Sequence, residues 1–429
     1  MPEALTRTDC AALDAADPLR ALRALFTLPP GVNYLDGNSL GVMPAAAPAR
    51  AAAVVQQEWG EGLIRSWNSA GWITLPQRVG DKIARLIGAR PGEVVAADST
   101  SVNLYKVLAA AVEIAKAARP GRRVILSERS NFPTDLYIAQ SLARQHGFEL
   151  ELASGEQIAE RLDERVAVLM LTQVNYRSGA IHDMAALTAQ AHRAGALALW
   201  DLAHSAGAIP VDLHGADADF AVGCGYKYLN GGPGAPAFVW VHPRHVARFE
   251  QPLSGWMGHA SPFTFDTGYR PAEGVSRYLC GTPSVVGLSV LECGVDTLLA
   301  AEPLGGMAAI RRKSLALSEL FLAQVAARGA GLGLRSVSPA DPARRGSQVS
   351  LACEGASGYA VMQALIERGV IGDFRAGDGT PAEPDLLRFG FTPLYTRFVD
   401  VFDAVTALAD ILGQGIWREA RFNQKAAVT

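Results

Sequence analysis

A single lysine, Lys227, stands between two tyrosines and directly before a glycine-rich run in GCGYKYLNGGPGAP, residues 223–236. A lysine amine attacks a carbonyl carbon only when deprotonated, and apolar surroundings lower its pKa by desolvation. Tyr226, Tyr228 and Leu229 offer such surroundings, and the glycines that follow let backbone approach a ligand closely. The plain alternative is a solvated surface charge, the usual state of lysine. Asp201 ends the apolar run ALALWD (196–201), with His204 three residues on. A carboxylate fixed there can hold a ring nitrogen protonated, or it can simply cap a helix. Ser99, Thr100 and Ser101 stand where a strand-like run gives way to a helical one. Hydroxyls and free N–H groups at a helix start bind anions, although Ser and Thr are also ordinary N-caps.

These residues need a scaffold, and the alternation of runs supplies one. Strand candidates are EVVAAD (93–98), RVILSE (123–128), VAVLMLTQV (166–174), ALALWD (196–201), DFAVGC (219–224) and AFVWV (237–241). Most are continuously apolar, as buried parallel strands are. Helical stretches at 101–119, 134–147 and 183–195 lie between them, the last with Asp183 as N-cap and Gly195 at its end. This order predicts an α/β fold: a large domain with a mainly parallel central sheet and helices on both faces. Ligands in such sheets sit outside the carboxyl ends of the strands. No G-x-G-x-x-G or G-K-[ST] stands in the first strand–helix turn, which disfavours a dinucleotide or ATP. An anion site, a strand-end aspartate and a lysine, in that chain order on a parallel sheet, point to pyridoxal 5′-phosphate, with Lys227 as the Schiff-base lysine.

After about residue 300 the texture changes. A helix over 309–329, a strand over 347–353, a helix near 358–368 and a last helix near 399–413 predict a smaller α+β domain. The turn-rich first 60 residues are expected to pack with it, giving domains 1–60 with 306–429, and 61–305. A net charge of -3 without a basic block argues against a nucleic-acid partner. Five scattered cysteines without metal-like spacing suit a reducing compartment and no metal. The N-terminal stretch carries acids and lacks a signal-peptide apolar run, and no apolar run is long enough for a membrane helix. A cytoplasmic protein is expected.

The chain resembles the fold type I pyridoxal-phosphate enzymes and, among them, the kynureninases. The resemblance rests on YLDGNSLG (34–41), STSVNLY (99–105), SNFPTDLY (130–137), TQVNYRSGAIHDM (172–184), WDLAHSAGAIPVDLH (200–214), GCGYKYLNGGPGAP (223–236), GWMGH (255–259), YLCGTPSV (278–285) and LLRFGFTPLYTRFVD (386–400). It implies that Lys227 carries the cofactor, that Asp201 pairs with the pyridinium nitrogen, and that Thr100 and Ser101 contact the cofactor at a helix start. Phe132 would lie against the ring, with Pro133, Thr134 and Asp135 completing that wall; Thr172 and His204 also fall at cofactor positions. Tyr226 would bind the phosphate and move a proton. Trp256 and Thr282 match positions that reach the phosphate across a homodimer interface. Arg388 matches the arginine that takes the substrate α-carboxylate, where a bidentate fork fits. Arg375 competes for that role, because the run AGDGTPAEP between the two reads as an insertion.

The implied reaction is hydrolysis of L-kynurenine to anthranilate and L-alanine, a step of tryptophan catabolism that serves either degradation or a biosynthesis such as that of NAD. The 3-hydroxy substrate is expected to react less well. Trp67, in WGEGLIRSWNSAGW (59–72), is the candidate wall of the aryl pocket, with plain packing of a domain junction as its alternative. The rival activity is that of a class V transferase, a cysteine desulfurase or an aminotransferase. A desulfurase needs a reactive cysteine on a mobile loop, whereas Cys353, taken as the only cysteine of the second domain, lies in strand-like SQVSLAC. A catalytically silent cofactor-binding regulator is disfavoured by the presence of Lys227, Asp201 and Arg388.

Overall fold

The structure is a computed structural model that describes residues 5–248, 250–378, 380 and 383–424. They divide into two compact units. The larger comprises Ala46–Asn175 and His182–Leu299; the smaller comprises the described residues up to Ala45, Tyr176–Ile181, and those from Ala300 on.

Seven strands form the sheet of the larger unit: β1 (Val94–Ala97), β2 (Val124–Glu128), β3 (Glu149–Ala153), β4 (Val166–Thr172), β5 (Leu197–Asp201), β6 (Phe220–Gly223) and β7 (Ala237–Val241). Their spatial order is β1-β7-β6-β5-β4-β2-β3. The pairs β2–β3, β2–β4, β4–β5 and β5–β6 are parallel. Strand β7 runs antiparallel to both its neighbours, β1 and β6. Every residue of β4 is buried, which explains its unbroken Val/Ala/Leu/Met composition.

Helices α1 (Thr100–Ala118), α2 (Pro133–His146), α3 (Met184–Ala194) and α4 (Val285–Leu299) belong to the same unit. Helix α1 buries Leu104, Val107, Leu108 and Ile114 in one core cluster with the sheet residues Val168, Leu199 and Phe220. Asp183 caps α3, its Oδ1 accepting from the Ala186 N–H at 2.9 Å. Gly195 closes α3 at φ +85°, a conformation that favours glycine.

The antiparallel course of β7 matters for function. No crossover helix lies between β6 and β7, so the chain turns back in a loop at the carboxyl end of β6. That loop carries Lys227. Asp201 ends β5 and Thr172 ends β4, so topology alone brings the three to one edge of the sheet.

The smaller unit holds a four-stranded antiparallel sheet in the order Asp373–Arg375, Leu386–Gly390, Gln348–Cys353, Leu334–Ser336. Helices Gly306–Arg328, Gly358–Glu367 and Phe398–Gly413 share a core with it through Phe321, Met362, Phe389 and Phe402. The turn-rich N-terminal segment contributes Asn33–Tyr34, paired in parallel with Val370–Ile371. The helix Arg7–Ala16 buries Cys10 in the same core, so Cys353 is not the only cysteine of this unit. Of the run read as an insertion, residues 379, 381 and 382 lie outside the described residues.

Candidate active site

In the larger unit the Lys227 amine lies 2.9 Å from His204 Nε2. It also lies 5.8 Å from the Phe132 ring centroid and 5.7 Å from that of Tyr226. Phe132, the N-cap of α2, is 41% exposed, a large apolar side chain beside the Lys227 amine. Pro133 and Thr134 follow it in the first turn of α2 and are partly buried.

Behind the lysine lies a buried acidic pair. Thr172 Oγ1 donates to Asn131 Oδ1 at 2.5 Å and stands 3.4 Å from Asp135 Oδ2 and 3.5 Å from Asp201 Oδ2. Asp201 Oδ1 accepts from the Ala203 N–H at 2.7 Å, so the carboxylate does cap a turn while its second oxygen stays by Thr172. Burial pushes the Asp201 carboxyl above the usual range. Asp135 is raised well above its ordinary value, by burial first and by the neighbouring Asp201 charge second. Two carboxyls so placed call for a cation between or against them.

A cavity of about 390 Å³ is lined by Ser99, Thr100, Tyr226 and Thr282, together with Asp98 and Ala235. Ser99 is the N-cap of α1, its hydroxyl accepting from Val102 N–H at 3.3 Å; Thr100 and Ser101 are its first two helical residues. Helix N-termini carry unpaired N–H groups and a positive dipole end, which favour a phosphate. The volume suits a small ligand.

Trp256 and Trp67 belong to an aromatic cluster of the same unit. Their centroids are 6.0 Å apart, and Trp67 also meets Trp72 at 6.2 Å and Phe263 at 6.4 Å. A groove of about 730 Å³ is lined by Trp67, Trp256, Ile64, Ile73, Phe263 and Phe265.

Arg388 lies in the smaller unit and is 1% exposed. Its Nε donates to Asp373 at 2.8 Å, Nη1 to the Tyr176 carbonyl at 2.6 Å, and Nη2 to Ser39 Oγ at 3.1 Å and to Asp373. Arg375 shares Asp373 through Nη1 at 2.8 Å and is half-buried, which makes it more than a surface ion-pair partner. Asp36 joins this cluster; burial and the Asp373 charge push its carboxyl up to about 7.

Two contributors escaped the sequence reading. Asn131 accepts from both Thr172 and the Phe132 N–H (2.7 Å), tying the ring wall to the acidic pair. Lys106, wholly buried on α1, pairs with Asp98 and donates to the Tyr278 carbonyl at 2.7 Å. Asp98 takes φ +50° at the turn into α1. A lysine inside the apolar run NLYKVLAAAV is the available signal for the latter; Asn131 stands in the motif SNFPTDLY, which does not reveal its bond to Thr172. Burial pushes the Cys353 thiol up to about 12, and Cys10 is also raised by burial, so neither thiol of the smaller unit is set up as a desulfurase nucleophile.

The family model described as kynureninase C-terminal domain matches residues 310–408. A kynureninase of Pseudomonas fluorescens is 56% identical over 427 residues, covering 99% of this chain and 100% of its own. Kynureninases of Burkholderia pseudomallei (strain K96243) and Burkholderia mallei (strain ATCC 23344) are 57% identical with the same coverage. Among solved structures, an apo cysteine desulfurase from Thermococcus onnurineus NA1 superposes with a TM-score of 0.76 at 20% identity, over 92% of this chain and 98% of that one. A mutant of C-DES with glycine covalently linked to its PLP cofactor gives 0.75 at 17% identity, over 90% and 99%. At such identities these structures establish the α/β fold rather than a shared reaction. Full-length identity above one half, joined to the lysine-centred site, is decisive: the chain belongs to the kynureninase family.

Proposed function

We propose that this protein is a pyridoxal 5′-phosphate-dependent hydrolase that converts L-kynurenine and water to anthranilate and L-alanine. The observation that carries the reading is the convergence of Lys227, the Asp201–Asp135 pair and the α1 N-terminus at one edge of the sheet. The residues fit the cofactor: a pyridinium N–H would set a second positive group, besides the nearby Lys227 ammonium, against two buried carboxyls, and the Ser99–Ser101 turn suits its phosphate. When bound, the cofactor supplies the electron sink that allows the Cα proton to leave and the Cβ–Cγ bond to break.

The protein's own groups do the rest. Asp201 holds the ring nitrogen protonated. Thr100, Ser101 and Tyr226 hold the phosphate; Phe132, with Pro133 and Thr134, packs against the ring, while Thr172 and His204 orient the acid and the amine. Lys227 moves the proton at Cα, and the Tyr226 hydroxyl serves the γ-carbonyl oxygen as water adds. Water's oxygen ends in the anthranilate carboxylate, and Cβ takes a proton to become the alanine methyl. Arg388 is assigned the substrate α-carboxylate, with Arg375 supporting it through the shared Asp373. Adding L-kynurenine to cofactor-loaded enzyme should produce anthranilate fluorescence at once; an inert enzyme would refute the reading.

The functional form is a homodimer in the cytoplasm, with Trp256 and Thr282 completing the partner's site. Ile64 and Phe265 are each 76% exposed beside Trp67 and Trp256, an apolar surface that calls for a cover. The five free cysteines suit a reducing compartment. Sedimentation should give a dimer, and full activity in a monomeric form would defeat the shared-site assignment.

Trp67 sets substrate preference by stacking on the aminophenyl ring. Its only polar group is a donor, so a 3-hydroxyl on the ring gains no acceptor there and is desolvated, at about 1–3 kcal/mol. Kynurenine should therefore be preferred over 3-hydroxykynurenine by roughly ten- to a hundredfold in kcat/KM. Trp67→His should narrow that ratio. If the ratio does not move, Trp67 is a packing residue.

A further inference from the structure

At the amino-terminal edge of the parallel sheet, away from the strand ends that carry Asp201 and Thr172, lies a second cavity of about 290 Å³. It opens between the C-terminal end of α1, the C-terminal end of α3 and the start of β5. Four guanidinium groups line it, from Arg119, Arg122, Arg244 and Arg248, against one carboxylate, Asp219. That carboxylate is already committed. It accepts from Arg244 Nη2 at 2.7 Å and contacts His245 at 2.6 Å and His192 at 2.8 Å, which hold it well below its usual range.

The remaining guanidinium groups have no such partner. Arg122 is 9% exposed, and its Nη1 donates to the Val166 and Asp163 carbonyls at 2.9 and 3.4 Å, while the Asp163 carboxylate acts on it only from beyond ion-pair distance. Its Nη2 and Arg119 Nη1 converge on Gly195, 2.8 and 2.6 Å from where a Cβ would stand. Among the described residues neither Arg119, Arg122 nor Arg248 makes an ion pair with a carboxylate. Like charges crowded at a half-enclosed spot repel one another, and a bound anion relieves the repulsion.

We propose that this cavity is a binding site for a compact polyanion bearing phosphate or carboxylate oxygens, held by Arg119, Arg122 and Arg248. Planar guanidinium forks match both oxygen geometries. The absence of a side chain at Gly195 lets the Arg119 and Arg122 guanidinium groups crowd against the backbone there, and the cavity they line leaves the space for such an anion. The site is separate from the lysine-centred one and does not depend on the assigned reaction.

The test is calorimetry on the cofactor-loaded enzyme, so that the cofactor's own phosphate site is filled. Inorganic pyrophosphate and citrate are titrated separately at low ionic strength. One saturable site per chain is expected, weakening as salt is added. Binding of pyrophosphate alone would assign the site to phosphate compounds; binding of citrate alone would assign it to polycarboxylates. Arg119→Ala and Arg248→Ala remove exposed side chains, so the fold and kynurenine turnover should be retained while affinity falls roughly tenfold for each. Absence of saturable binding by either anion, or unchanged affinity in both variants, would overturn the proposal.

Discussion

Lys227→Ala is expected to abolish turnover, with kcat falling by about 10⁴-fold or more, because one side chain both anchors the cofactor and moves the Cα proton. The geometry explains why no neighbour can substitute. His204 Nε2, 2.9 Å from the amine, is held in a buried ring that can orient the lysine but cannot form the same bond to an aldehyde. The variant should still fold, because Lys227 sits partly exposed in a loop rather than inside the sheet. Borohydride treatment of the wild type should trap the cofactor covalently, and the variant should yield no trapped adduct. Retained steady-state activity would remove Lys227 from its role.

Asp201→Asn is expected to bind cofactor and lose activity by about 10²–10³-fold, the usual cost of removing one preorganised electrostatic partner. An amide cannot hold the pyridine nitrogen protonated. Stability should move the other way. A carboxyl whose folded pKa is raised stabilises the fold fully only below its unfolded pKa, and that contribution is lost as pH rises through the folded value. Without cofactor, burial thus makes ionisation of Asp201 costly to the fold. The Asn variant should therefore melt no lower than wild type as apoprotein while turning over far more slowly. Near-normal rates would reject the electron-sink role, and a large drop in apoprotein Tm would point to lost packing instead.

Much of this site can be read from the chain because its parts are local. Ser99 to Ser101 start a helix after an apolar strand, Asp201 ends another, and Lys227 follows a third, so strand-end positions follow from hydrophobic patterning. Asp183 and Gly195 mark the bounds of α3 for the same reason. The edge strand Glu149–Ala153 is less legible, because GFELELA alternates polar and apolar residues and lacks the unbroken apolar run of its buried neighbours. Helix Val285–Leu299 is hard to read from the chain because it is built largely of Val, Gly, Ser, Cys and Thr, which favour helix weakly. The reversal of AFVWV lies in connectivity and not in composition, since parallel and antiparallel buried strands look alike residue by residue. Asn131 and Lys106 act through partners as far as 172 residues away, a separation that no local pattern encodes. The Arg388–Asp373 pair is of the same kind: the arginine is legible by motif, its carboxylate partner only in three dimensions.

Turnover of L-kynurenine in ¹⁸O-enriched water tests the central claim most directly. Hydrolytic cleavage of the Cβ–Cγ bond predicts equal amounts of alanine and anthranilate, with one solvent oxygen in each anthranilate carboxylate. Anthranilate without the label, or consumption of kynurenine to its keto acid with neither product, would contradict the account.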